Sequence, residues 1–226
     1  MSTSEFLKQR AVNLVVGGRY SIANRYDQHG KLREYACRTA RISPFRMLLS
    51  VPLVGRIGDR VDSYFSDFGQ LTGQISDTAP GGFCFELELG RARREKLADM
   101  LKWLEKKQQD GNIQDGRANK RIIPQIPHST LILPDGSHRD CFVIDMSCSG
   151  VAISADVYPE IGTPLAVGSA VGRVVRHFRA GFAVKFVQEL DADNLERTVI
   201  RTSIPSMQGK ATFEPSRADT EAAAAG

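Results

Sequence analysis

Ser129-Thr-Leu-Ile-Leu133, then Pro134-Asp-Gly-Ser137, then Cys141-Phe-Val-Ile144 is the stretch from which the fold is read. Two β-branched or apolar runs flank four turn-forming residues, with proline and glycine supplying the backbone angles of the bend. That is the pattern of a β-hairpin. Working outward, Val151-Ala-Ile-Ser154 and Leu165-Ala-Val167 are two further short strands, joined by a connection from Tyr158 to Pro164 that carries proline and glycine. Val171–Phe178 and Gly181–Val187 form a last hairpin across Arg179-Ala180. Short strands with regular turn punctuation predict a small antiparallel barrel of six strands. Asp191–Arg201 follows as a short helix, with Leu195 and Val199 four apart on one apolar side.

Upstream, Arg91–Gln109 is the longest helix signal. Leu97, Leu101 and Leu104 share a face with Met100 beside them, and charged or amide residues fill the rest. Gln109-Asp-Gly-Asn-Ile-Gln-Asp-Gly116 ends the helix and places a boundary there. The residues before it repeat the downstream pattern. Cys37, Ser43 and Gly58 lie 104 positions before Cys141, Ser147 and Gly162, and Gly82-Phe-Cys-Phe85 lies 99 before Gly181-Phe-Ala-Val184. One shift of offset implies a short insertion in the first copy near Ser63–Gln70, which an exposed hairpin tolerates. The expected fold is mainly β: two six-stranded antiparallel barrels, each followed by a helix. The expected domains are 1–109, 110–205 and a polar, alanine-rich tail over 206–226, read as disordered.

Composition narrows the function classes. Of 226 residues, 42% are apolar and 25% charged, which is ordinary for a globular protein, and the net charge of +4 favours an acidic ligand without naming one. No apolar run reaches the ~18 residues that span a bilayer, and Met1–Arg10 has no apolar signal core, so a cytoplasmic location is expected. Cys37, Cys84, Cys141 and Cys148 form no close pair, and His29, His128, His138 and His177 are scattered, so four reduced thiols and no metal are expected. There is no nucleophile–base–orienter set and no phosphate-cradling loop before a helix; the chain reads as a binding protein, not an enzyme.

Two short patterns carry the chemistry. Arg117-Ala-Asn-Lys-Arg121 sets two arginines four apart just before the first strand of the second barrel, and Asp145-Met-Ser-Cys-Ser-Gly150 leaves one strand and opens the next. A guanidinium offers forked donors to a phosphate or a guanine edge and can stack on a base. Asp145 can accept a guanine N–H or orient an arginine, Ser147 adds a hydroxyl, and Gly150 allows close backbone approach or a positive φ. Either pattern alone has a plain reading, a solvated basic face or an Asx turn between strands. Their joint order and their place in a barrel make the pair specific.

Together they resemble the PilZ family, whose pattern is Arg-x-x-x-Arg, a strand hairpin, then Asp/Asn-x-Ser-x-x-Gly. Gly181-Phe-Ala-Val-Lys-Phe186 is similar to the family's last strand, and the resemblance spans about residues 115–200. It implies a six-stranded barrel that binds the bacterial second messenger cyclic di-GMP, commonly as an intercalated dimer, with no other cofactor. It implies that Arg117 and Arg121 contact phosphates and guanines, and that Asp145, Ser147 and Gly150 complete the guanine-binding surface. It further implies a downstream protein partner in motility, exopolysaccharide or biofilm control, and leaves homodimerisation open.

The first copy looks like a degenerate PilZ-like barrel. Arg41 stands where the second has Asp145, Arg46 where it has Gly150, and Asn13 and Gly17 where it has Arg117 and Arg121; only Ser43 survives. Packing, dimerisation or partner contact is its expected role, with Arg19 and Arg25 leaving another kind of site open. The expected mechanism is ordering of Asp110–Lys120 over the ligand, resetting how the two halves lie. Two alternatives stand beside this reading: a protein adaptor that binds no nucleotide, and an RNA or single-strand-binding barrel, against which the lack of an aromatic stripe beside the arginines counts.

Overall fold

The computed structural model describes residues 11–27, 29–109 and 121–201. The first copy contains β1 (Gly17–Ile22), β2 (Tyr35–Ile42), β3 (Arg46–Ser50), β4 (Arg60–Phe65), β5 (Gly69–Ala79), β6 (Gly82–Leu87) and α1 (Arg91–Gln109). The second contains β7 (His128–Ile132), β8 (His138–Ser147), β9 (Gly150–Ala155), β10 (Pro164–Val167), β11 (Ala170–Phe178), β12 (Gly181–Phe186) and α2 (Leu195–Val199). Each set of six strands closes into an antiparallel barrel, in the orders β1-β2-β3-β6-β5-β4 and β10-β11-β12-β9-β8-β7. Closure leaves neither sheet a free edge. The expected fold class is the observed one. Residues 110–120, with which the expected second domain begins, and the expected tail 206–226 lie outside the described residues.

Alternation builds both cores. In β12 the burial runs Phe182 in, Ala183 out, Val184 in, Lys185 out, Phe186 in. The first barrel is filled by aromatics, Tyr20, Tyr35, Phe65, Phe83 and Phe85, the second by Leu131, Val143, Met146, Ile153, Val174, Phe182 and Val184. Leu97, Ala98, Leu101 and Leu104 of α1 close the first core, and Leu195 and Val199 of α2 close the second.

The repeat survives in the finest irregularities. A bulge interrupts β2 between Thr39 and Arg41 and another interrupts β8 between Val143 and Asp145. A second pair falls between Ile75 and Asp77 of β5 and between Val174 and Arg176 of β11. Gly58 and Gly162, at φ 90° and 92°, donate their N–H groups to Ile75 and Val174 respectively. The offset therefore drops from 104 to 99 within the β4–β5 hairpin, whose strands outrun those of β10–β11.

One alignment needs correction. The bridges Val12↔Ile42 and Ile122↔Met146 are equivalent, so Ala11, not Gly17, stands at the place of Arg121. The offset of 104 does not reach back across the first hairpin, because residues 23–34 between β1 and β2 outnumber the tight turn between β7 and β8. The first barrel still has no guanidinium there.

The barrels meet through matching strands, β2 packing on β8 and β9. Tyr35 Oη donates to Asp156 at 2.7 Å, the Ala36 N–H to Ser154 Oγ at 3.1 Å, and Arg33 Nη2 to the Ala155 carbonyl at 3.1 Å. Ser50 Oγ lies 3.0 Å from His128 Nε2. Glu34 bridges Arg19 of β1 at 3.1 Å and Arg179 of the β11–β12 turn at 2.7 Å. Arg19, also stacked 4.2 Å over Tyr64, is thereby committed to structure.

Candidate functional site

Asp145 sits just after the β8 bulge, and bulges re-aim the side chains that follow them. The segment before β7 is tied alongside: the Ile122 N–H donates to the Met146 carbonyl at 2.8 Å and the Met146 N–H to the Ile122 carbonyl at 2.9 Å. This two-bond bridge sets Arg121 beside Asp145. Arg121 Nη1 lies 3.0 Å from Asp145 Oδ2, with the side chains 38% and 25% exposed, so the pair is reachable from solvent. Ser147 Oγ lies 3.2 Å from Ser149 Oγ and 3.4 Å from the Gly150 carbonyl, so its hydroxyl shapes the loop between β8 and β9.

Gly150 is required for close approach rather than for a left-handed backbone. It is absent from the positive-φ glycines, and a Cβ there would lie 2.5 Å from the Val184 carbonyl oxygen of β12. Arg121, Asp145, Ser147 and Gly150 thus share one outer edge of the second barrel. Arg117 lies outside the described residues.

Strand register extends this edge into a surface. One row across the barrel reads Asp145, Ala152, Ala183, Arg176; the next reads Ser147, Gly150, Lys185, Arg173. Glycine and two alanines make a low floor between an acid–hydroxyl side and a cationic side on which Arg173, Arg176 and Lys185 are exposed. A flat ring could lie on such a floor, with hydrogen-bond donors toward Asp145 and anionic groups toward the cations. The three cations escape a reading of the sequence alone. Alternation points them outward, but only the register β8–β9–β12–β11 brings them to the motif.

Against β8 packs Arg38 of β2, only 7% exposed. Burial pushes its guanidinium down to about 10, with the charge of Asp145 acting in the opposite direction. It therefore stays charged at neutral pH. Among the described residues no group of three His, Cys, Asp or Glu side chains could hold a metal ion, and no helix is long and apolar enough to cross a membrane. Cys37 and Cys141 are buried, and burial pushes both thiols up.

The PilZ domain family model matches residues 115–203. No curated protein matches the sequence. Among solved structures, the chain is similar to the Borreliella burgdorferi PlzA protein in complex with c-di-GMP, at 10% identity and TM-score 0.31, covering 84% of this chain and 94% of that one. It is similar to the Bacillus subtilis inhibitor of motility MotI/DgrA at 12% identity and TM-score 0.28, covering 83% and 94%. It is also similar to YcgR from Escherichia coli in complex with c-di-GMP at 10% identity and TM-score 0.24, covering 86% and 84%. The two-barrel fold rests on strand pairing. The match over residues 115–203 falls on β7–β12 and on the edge that joins Arg121 to Asp145, and this part of the chain is a PilZ domain.

Proposed function

We propose that the chain is a receptor for cyclic di-GMP, binding it on the outer edge of the second barrel through Arg121, Asp145, Ser147 and Gly150, with Arg117 supplied by the same motif. The observation that carries this reading is the solvent-accessible Arg121–Asp145 pair at 3.0 Å, set beside a floor of small residues with cations on its far side. An anionic purine dinucleotide has both parts such an edge can use, phosphates for guanidinium groups and ring N–H donors for a carboxylate. The PilZ domain match supports the same ligand. In this reading the protein acts by binding and not by catalysis. The chain divides into domains 1–109 and 110–205, and ligand occupancy is passed to a downstream protein in motility or biofilm control.

Titration calorimetry of the full chain with cyclic di-GMP gives affinity and stoichiometry together. Arg121→Ala and Arg117→Ala should each lose about 1.5–3 kcal/mol of binding free energy, the worth of a charge-assisted hydrogen bond. Undiminished affinity in both variants would reject the site.

A further inference from the structure

We propose that Arg38, on the first barrel, is a positioning residue for the ligand site on the second, holding the β8 bulge and the Arg121 segment in one geometry. This role rests on the ligand reading proposed above. In the alternation of β2, Cys37 points into the core and Arg38 points out, yet β8 covers it. Its Nη1 donates to the Pro124 carbonyl at 2.7 Å and its Nη2 to the Val143 carbonyl at 2.9 Å and to the Ile144 carbonyl. Its Cζ lies 5.3 Å from the Phe142 ring centroid.

The choice of acceptors is informative. Val143 and Asp145 bracket the β8 bulge and Ile144 is the extra residue, so one guanidinium nitrogen holds both carbonyls that lead into Asp145. Pro124 lies three residues after Arg121, so the other nitrogen holds the segment that carries the site's arginine. The planar fork of Arg38 therefore fixes the two halves of the Arg121–Asp145 pair relative to each other, and it does so from a different barrel. Asp145 itself pairs directly with Arg121, while Arg38 holds the backbone that leads into it. A buried arginine is costly to maintain for docking alone. The three carbonyls it satisfies lie on the two segments that carry Arg121 and Asp145. Any shift of one barrel against the other must pull on these carbonyls, so ligand and barrel docking are linked reciprocally.

The test is calorimetric titration of the full chain with cyclic di-GMP, for wild type, Arg38→Met, Arg38→Lys, Asp145→Asn, the Arg38→Met/Asp145→Asn double variant and Ser50→Ala. Circular dichroism establishes that each is folded. Arg38→Met should bind about tenfold more weakly, as expected for losing a charged hydrogen-bond donor. Arg38→Lys should also weaken binding, because one ammonium nitrogen cannot span acceptors that Arg38 holds with two separate nitrogens. Ser50→Ala, elsewhere in the same interface, should keep wild-type affinity. The double variant should lose less than the product of the single losses, because both changes act on one arrangement. A role confined to barrel docking would give the full product. Wild-type affinity in folded Arg38→Met, or full multiplicativity in the double variant, overturns the role while the ligand reading stands. If Arg38→Met fails to fold, Arg38→Lys decides by the same criterion. A wild-type chain that binds no cyclic di-GMP overturns the ligand reading and this role with it.

Discussion

Gly150→Ala separates what the barrel needs at the motif glycine from what the ligand needs. The added Cβ would lie 2.5 Å from the Val184 carbonyl oxygen and 3.4 Å from Lys185 Cα, the first nearly an ångström inside ordinary contact. Both obstacles are backbone, so no rotamer change relieves them; β9 and β12 must part where Gly150 pairs with Lys185. A close-packed interior yields little, and overpacking of this kind costs about 1–3 kcal/mol. The stiffer unfolded chain of an alanine variant returns about 0.4–1 kcal/mol. The net expectation is a loss of about 1–2 kcal/mol. With a urea slope of about 1–3 kcal/mol per molar for a small domain, the midpoint should fall by roughly 0.3–2 M. Gly17→Ala is the internal control, since a Cβ there meets nothing within 4 Å; it should leave the midpoint unchanged or raise it. Urea unfolding followed by circular dichroism makes the measurement. An unchanged midpoint for Gly150→Ala would refute the packing account. An unchanged midpoint combined with lost ligand binding would assign the glycine to the ligand alone.

Two further outcomes are expected. His128 is 4% exposed at the barrel interface, and burial first, with Arg38 adding to it against Asp140, lowers its pKa below the usual histidine value. The fold thus prefers neutral imidazole, its contribution is whole above the unfolded value of about 6.5 and declines as pH falls from there toward the depressed folded value. Urea midpoints at pH 7.5 and 5.5 should show a larger drop in wild type than in His128→Gln, and parallel behaviour would exclude His128 as the cause. Separately, Lys185 and Arg173 face each other directly across β11 and β12, a like-charge pair that does not stabilise a sheet. Changing both to glutamine should leave stability within about 0.5 kcal/mol or raise it while weakening cyclic di-GMP binding and its salt dependence; unchanged affinity would remove these cations from the surface.

Much of this architecture is legible in the residues. The α1 helix runs over the predicted Arg91–Gln109, because its leucines at helical spacing and its terminating Asp-Gly give both the face and the stop. The strands of the second barrel fall where β-branched runs alternate with turn residues. β8 extends beyond Cys141–Ile144 at both ends, since His138-Arg-Asp140 and Asp145-Met-Ser147 pair through backbone groups that side-chain pattern does not report. The motif residues are legible from type and spacing, which are local. Arg38 is not, because an arginine on the outward side of a strand is what any solvated strand shows. Only the docking of a second barrel turns that outer face into an interior. The counterpart of Arg121 in the first copy is hidden for a similar reason: hairpin length between β1 and β2 leaves no periodic trace.

On the proposed reading, the contact between Arg121 and Asp145 makes ligand capture an exchange rather than a simple addition. An entering anion must take the guanidinium away from a carboxylate that already satisfies it, and whatever takes the guanidinium strands that carboxylate unless it also brings donors. Inorganic phosphate, which brings little beyond charge, is thus penalised. A molecule joining phosphates to donor-bearing rings compensates both partners at once, so the proposed site would discriminate between the two through this ion pair.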